Sequence, residues 1–420
     1  MLKPELLAPA GNLKKLKIAL KFGADAVYAS VGSFSLRKRS AKEFTKESFI
    51  EGVSYTHAHG KKFYATLNAF PFNAQIKGIE NHIEFLNEIG VDGVIVASVG
   101  VINLVKKLAP KMLIHISTQA NVTNYLDAKF YYEMGASRIV LAREITLKDA
   151  LEIKKMLPGL ELEIFVHGSM CFAYSGRCLI SAVQSGRFSN RGSCANDCRF
   201  KYELYAKDPQ NATLFRLEER ENDGTYIMNS KDLNLISYIN EIVATGAIDS
   251  LKIEGRTKSE YYAACTTNAY RMAINDAFAG NFKAEIYEAE IATLKNRGFS
   301  EGYLFHHPYE RADTQNLDTS LVQGSKQVEA FSEDGELFAV KGKIMPGVEY
   351  EIFSPFGTEI STAKNEIGEI YKKNGKFYMK FDKIFTQTNK QMSEIHSGNL
   401  NLIKSVAKTC EFCFLRKDEK

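Results

Sequence analysis

Residues 5–29 read Glu5-Leu-Leu-Ala-Pro-Ala-Gly11-Asn12-Leu-Lys-Lys-Leu-Lys-Ile-Ala-Leu-Lys-Phe-Gly23-Ala-Asp25-Ala-Val-Tyr-Ala29. A short apolar run closes on Pro-Ala-Gly. Asn12 is suited to cap a helix, because its side-chain oxygen can accept from an unpaired N–H of the first turn. Leu13 to Gly23 then spaces apolar residues for a helix, which the glycine ends. Asp25 to Ala29 reads as the next strand. Strand, helix, strand is the repeating unit of a parallel β/α fold.

The unit recurs along the chain. Lys62–Leu67 is a strand ending at Asn68, and Ile76–Ile89 a helix ending at Gly90. Asp92–Ala97, Met112–Ser117, Arg138–Ala142 and Leu162–Val166 are further strands, with helices over Val101–Leu108, Tyr125–Met134 and Leu147–Met156. Leu235–Ala244, Ser250–Ile253 and Ser259–Ala277 supply the last helix, strand and helix. Eight strands over roughly 280 residues match a TIM-like (β/α)8 barrel. A doubly wound open sheet is the competing architecture, but no Gly-x-Gly-x-x-Gly follows the first strand. In a barrel the chemistry sits at the C-terminal strand ends. Here those ends carry Asn68, Gln119, Asn121, Arg143, Glu144, His167, Lys252, Glu254 and Arg256. Loop starts are often polar in any protein, so this set narrows the site without defining it.

From Asn316 the pattern changes to short alternating strands: Val328–Phe331, Leu337–Val340, Val348–Phe353, Ile367–Tyr371 and Phe377–Phe381. Glu333-Asp-Gly335, Pro346-Gly347, Pro355-Phe-Gly357 and Asn374-Gly375 separate them with turn chemistry. This predicts a small antiparallel β-barrel. The organisation expected is a (β/α)8 barrel over 1–295 with an inserted segment at 167–225, a junction at 296–325, the small barrel at 326–405 and a tail at 406–420.

The inserted segment holds Cys171, Cys178, Cys194 and Cys198, four of seven cysteines. Their spacing is C-x6-C, fifteen residues, then C-x3-C. Structural zinc sites favour C-x2–4-C pairs at both ends, and only the second pair conforms. Iron–sulfur clusters take four thiolates from separate loops at irregular spacing. From the residues alone, a cluster, a zinc ion, or thiols that share no metal all remain open. Arg177, Arg187 and Arg191 interleave the cysteines and would suit an anionic cluster or substrate. A nucleophilic hydrolase is the rival class, since His167-Gly-Ser169-Met-Cys171 gathers three triad residue types. No Gly-x-Ser-x-Gly elbow and no His-Glu-x-x-His accompany it. Cys410-x2-Cys413 lies near the chain end and reads as free reduced thiols in the tail, with a redox dithiol as the alternative, and Cys265 as core.

Bulk properties set outer bounds. Of 420 residues, 45% are hydrophobic and 25% charged, as in ordinary globular proteins. No apolar run is long enough for a membrane span, and the first residues lack a signal-peptide pattern. These features predict a cytoplasmic protein with reduced thiols and no membrane partner. A net charge of +4 permits a nucleic-acid partner without requiring one. Arg37-Lys38-Arg39 and Lys372-Lys373 are the basic stretches available. The oligomeric state is not legible.

The block Glu163-x-Phe-x-His-Gly-Ser-Met-Cys171-x6-Cys178-Leu-Ile-Ser181, followed by Asn190-Arg-Gly-x-Cys194-x3-Cys198-Arg199, resembles the signature of the collagenase-like "U" peptidase family. Glu5-Leu-Leu-Ala-Pro-Ala-Gly11, Phe34-Ser-x-Arg37, Asn229-Ser-Lys-Asp-Leu233 and Lys252-Ile-Glu-Gly-Arg256 resemble its other motifs. In length and C-terminal domain the chain is most similar to the family's tRNA uridine hydroxylase branch. That resemblance implies hydroxylation of a tRNA wobble uridine, a [4Fe–4S] cluster and prephenate as oxygen donor. It makes Cys171, Cys178, Cys194 and Cys198 the cluster ligands. Some relatives carry a further cysteine ligand after Lys-Asp-Leu, where this chain has Asn234. His167 and Glu254 are the candidate catalytic residues. Arg37, Arg143, Lys252 and Arg256 are candidates for binding RNA phosphate or prephenate carboxylate, because a guanidinium offers a bidentate fork. A true peptidase using Cys171 or Ser169, and a zinc-bound RNA-binding protein, are the alternatives.

Overall fold

The computed structural model describes residues 3–32, 44–191, 194–217, 228–307, 313–316, 319 and 321–419. Eight parallel strands follow one another around a closed barrel. They are β1 (Glu5–Pro9), β2 (Ala26–Ala29), β3 (Lys62–Leu67), β4 (Gly93–Val96), β5 (Leu113–Ile116), β6 (Arg138–Val140), β7 (Glu161–Ser169) and β8 (Ser250–Ile253). β8 pairs with both β7 and β1, through Ser250↔Glu163 and Glu5↔Ser250. That closure excludes the open sheet, whose edge strands have no mutual partner.

Each strand is followed by a helix, and local chemistry sets where the helices begin. Asn12 accepts from the Lys15 backbone N–H at 2.9 Å, as its position predicted. Thr146 and Asp149 form a capping box at Leu147–Met156. Lys46–Ala58, after β2, is a helix that the sequence reading passes over. Its buried face is Phe49, Gly52, Val53 and Thr56, and two of those four residue types do not register as apolar.

The barrel interior is split. Leu7, Ala26, Tyr28, Tyr64 and Ile95 form a small apolar cluster inside it. Near the N-terminal strand ends lies a buried polar set instead. Glu163 is 0% exposed and accepts from Arg138 (3.1 Å), Ser250 (3.0 Å) and Lys252 (2.7 Å). Arg138 also reaches Glu5 at 2.6 Å and Glu161 at 2.8 Å. A TIM barrel ordinarily fills these layers with branched apolar side chains. Here the charges cross-link β1, β6, β7 and β8.

The C-terminal part is a curled antiparallel sheet of eight strands with its own core. Its central strand is Cys413–Asp418, held between Lys326–Ser332 and Glu349–Phe353. The residues read as a tail are therefore structural, and Cys413 is buried. Their run of Cys-Phe-Leu is too short to announce a strand, and pairing with two distant segments makes it one. The junction is likewise docked. Phe299–Ser300 pairs with Asp232–Asn234, which in turn runs antiparallel to the end of β7. Barrel and sheet share one core where Phe22 stacks on Phe353 at 5.4 Å. Across that seam the buried Arg416 donates to Tyr261 (2.6 Å), Glu290 (2.9 Å) and Glu351 (2.7 Å).

Candidate active site

β7 runs past the barrel rim and delivers the cysteine segment. Gly168, at φ +114°, lets the strand turn there, and a Cβ on it would meet the Glu254 carbonyl oxygen at 2.3 Å. Only glycine allows both that backbone conformation and that approach. Beyond it the segment folds over the mouth. Helix Ile180–Ser185 is closed by Gly186 in the left-handed region. The buried Asp197 accepts from Ser185 at 2.7 Å. Phe70, in the loop after β3, donates its N–H to the Asn190 carbonyl at 3.3 Å.

This folding brings the four thiols into one neighbourhood. Burial first, then the negative charge that Cys171, Cys194 and Cys178 would carry, pushes the Cys198 thiol up, with Arg199 opposing. Ser181 lies 3.8 Å from the Cys194 sulfur, and Ser189 donates to the Cys178 carbonyl at 2.6 Å. Among the described residues, no three His, Cys, Asp or Glu side chains are grouped as ligands of a single ion. The four cysteines of the segment are free thiols, and gathering them on one ion or cluster would need their loops to draw closer than they stand here. All-thiolate sets of this kind fit an iron–sulfur cluster or zinc rather than calcium or magnesium.

Cys171 also lines a cavity of about 90 Å³ at the C-terminal mouth, with Tyr28, Asn68, Gln119, Arg143, Phe165, Lys252, Glu254 and Arg256. Four sequence candidates therefore meet the cysteine segment there. Arg143 donates to the Ser169 carbonyl at 2.8 Å and stacks on Phe165 at 4.2 Å. Arg256 donates to Ser30 and Thr66, each at 3.0 Å. Tyr28 places its hydroxyl 3.0 Å from the Glu254 carboxylate. Lys252 is not a spare cation, because its ammonium is engaged by Glu163. Burial lowers its pKa while Glu163 opposes that shift.

His167 is the exception. It does not line the mouth cavity, and it is 1% exposed. Tyr262, Tyr270 and Phe299 enclose its ring at centroid distances of 5.6–5.8 Å. Burial holds its pKa down to about 4, so it is neutral at physiological pH. The structure moves it from the catalytic set to the packing beneath the rim. Its Nδ1 lies 3.5 Å from the Tyr270 hydroxyl, and among the described residues it pairs with neither Ser169 nor Cys171. Arg37 lies outside the described residues.

Sequence reading missed Glu163 as the partner of Lys252, and Arg138 as the second cation on that carboxylate. The signal was a glutamate inside the apolar run Leu162–Val166, where a strand buried on both faces tolerates charge only if paired.

A second cavity, of about 570 Å³, lies where the barrel meets the C-terminal sheet. Lys14, Lys258, Lys295, Lys326 and Lys341 line it against two carboxylates, Glu260 and Glu419. Arg256 faces the mouth cavity and Lys258 this one, so the loop after β8 borders both.

The profile of peptidase family U32 matches residues 11–314. The chain belongs to that family. Over 413 residues, 98% of each chain, it is 55% identical to a Helicobacter pylori (strain ATCC 700392 / 26695) protein named tRNA hydroxylation protein P. An Escherichia coli (strain K12) protein of the same name is 39% identical over 401 residues, 85% of this chain and 87% of that one. A second Escherichia coli (strain K12) protein, named 23S rRNA 5-hydroxycytidine C2501 synthase, is 33% identical over 271 residues, 64% of this chain and 39% of that one. The matched residues contain barrel strands β2 to β8 and the cysteine segment. Among the described residues, no helix is long and apolar enough to cross a membrane.

Proposed function

We propose that this protein is a cytoplasmic tRNA hydroxylase that acts on the wobble uridine, holds a [4Fe–4S] cluster on Cys171, Cys178, Cys194 and Cys198, and takes prephenate as oxygen donor. The observation that carries the reading is Cys171, first of the four cysteines of one folded segment, lining a polar, cationic cavity at the barrel mouth. Relatives named for hydroxylation of tRNA and rRNA support it. A cluster held there would supply one-electron redox chemistry next to the bound base. Arg143 and Arg256 would bind carboxylate or phosphate at the rim, as guanidinium groups do. Phe165 and Tyr28 would give the base an aromatic wall. The lysines of the larger cavity would hold RNA phosphates beside the mouth. The buried, neutral His167, which among the described residues pairs with neither Ser169 nor Cys171, counts against a peptidase.

The test is metal, sulfide and nucleoside analysis. Protein purified without air should contain four irons and four sulfides per chain, and Cys171→Ala and Cys194→Ala should lose them. Transfer RNA from a deletion strain should lack the hydroxylated uridine and regain it with the intact gene. One zinc without sulfide, or unchanged tRNA, would refute the reading.

A further inference from the structure

We infer that Gln119 holds the Watson–Crick edge of the pyrimidine to be hydroxylated, accepting the ring N3–H on its amide oxygen and donating its amide N–H to the adjacent carbonyl oxygen. This rests on the RNA-hydroxylase reading and adds to it a residue that touches the base.

Gln119 is 2% exposed, and among the described residues neither its amide oxygen nor its amide nitrogen has a hydrogen-bond partner. A primary amide brings two donors and two acceptor lone pairs, and leaving them unmet in a buried place is costly. The side chain lines the mouth cavity together with Cys171, so a ligand there can meet them. Its neighbours hold it in place. The turn Thr118–Ala120 starts at Ser117, whose hydroxyl accepts from the Gln119 backbone N–H at 3.4 Å, and ends at Asn121 in the left-handed region. Gly176, from the loop between Cys171 and Cys178, packs against the amide, and a Cβ there would stand 3.3 Å from its carbon and nitrogen. The amide is therefore fixed between the β5 end and the cysteine loop.

The chemistry of the cavity selects a flat heterocycle with an imide-like edge. Arg143 stacked on Phe165 forms a planar wall of the sort on which unstacked bases rest. Uracil presents one N–H beside a carbonyl, which an amide meets with two hydrogen bonds. Turned over, the same amide meets N3 and the amino group of cytosine. Gln119 thus holds a pyrimidine edge, orients the ring beside Cys171, and leaves the choice between the two bases to other contacts.

The test uses the full chain purified without air and two anticodon stem-loop RNAs, one with uridine and one with 3-methyluridine at the target position. Methylation removes the N3–H. Wild type should bind the uridine RNA about tenfold or more tightly, in line with the discrimination given by a bidentate base contact. Gln119→Ala, which also frees space for the methyl group, should bring the ratio near one. Gln119→Met, which keeps the volume, should lose affinity for the uridine RNA, with iron, sulfide and visible spectrum unchanged. A wild-type ratio in Gln119→Ala would overturn the inference. So would altered iron or spectrum in both variants, which would make Gln119 a support of the cysteine loop. A wild-type chain that binds neither RNA would sink the RNA reading itself, and this one with it.

Discussion

Glu163→Gln removes one charge from inside the barrel while preserving shape, and its cost can be worked from the structure. Burial pushes the Glu163 carboxyl up, but Lys252 and then Arg138 outweigh it and hold the group at about 2, against an ordinary 4.5. That difference corresponds to about 3 kcal/mol of native stability at pH 7. A separate route gives a similar figure. Breaking a buried ion pair by removing one partner costs about 3–5 kcal/mol, toward the lower end here because Arg138 keeps Glu5 and Glu161. Because the folded pKa is depressed, the contribution is complete above the unfolded value near 4.5. It is lost as pH falls toward 2, and at pH 3 less than half should remain. Urea unfolding of wild type and variant at pH 7 and pH 3 measures both quantities. Lys252→Met added to Glu163→Gln should recover part of the loss, since it removes the stranded ammonium. A gap below about 1 kcal/mol at pH 7 would refute the reasoning, given the pair energies expected for buried charges. A gap as large at pH 3 as at pH 7 would do so too.

Three further outcomes are expected. His167, neutral in the fold with a pKa near 4, takes up its proton only on unfolding as pH drops below about 6.5. Wild type should therefore lose stability between pH 6.5 and 4 relative to His167→Gln, by about 3 kcal/mol, in acid-unfolding curves. Lys295→Glu combined with Lys341→Glu should weaken tRNA binding about tenfold and flatten its salt dependence, because each neutralised phosphate adds nearly one unit of log–log slope. Unchanged filter-binding curves across salt concentrations would remove the larger cavity from the RNA path. Arg416→Met strands Glu290 and Glu351 at the seam and should cost about 3 kcal/mol. Hydrogen exchange should then rise first in Lys326–Ser332 and Glu349–Phe353, the strands flanking it.

The barrel was legible because its information is local. Asn12, Gly23 and the apolar runs mark where each helix or strand starts and stops, and those signals act within a few residues. The cysteine segment was legible for a related reason, since four thiols of unusual spacing stand out in any context. Lys46–Ala58 escaped because a helix can bury glycine and threonine against a barrel without an apolar stripe. Cys413–Asp418 escaped because a strand's place is decided by partners, here Lys326–Ser332 and Glu349–Phe353, far away along the chain. At the site, residue types pointed to the strand ends but could not rank them. Packing did that. It enclosed His167 among three aromatic rings, tied Lys252 to Glu163, and left the Gln119 amide buried at the cavity that Cys171 lines, without a partner among the described residues. Sequence by itself determined the alternation of elements and the donor chemistry, because propensity and thiol chemistry belong to single residues and near neighbours. Tertiary structure alone decided which polar side chains are neutralised and which face the mouth. Burial and pairing are properties of the surroundings that the whole chain creates.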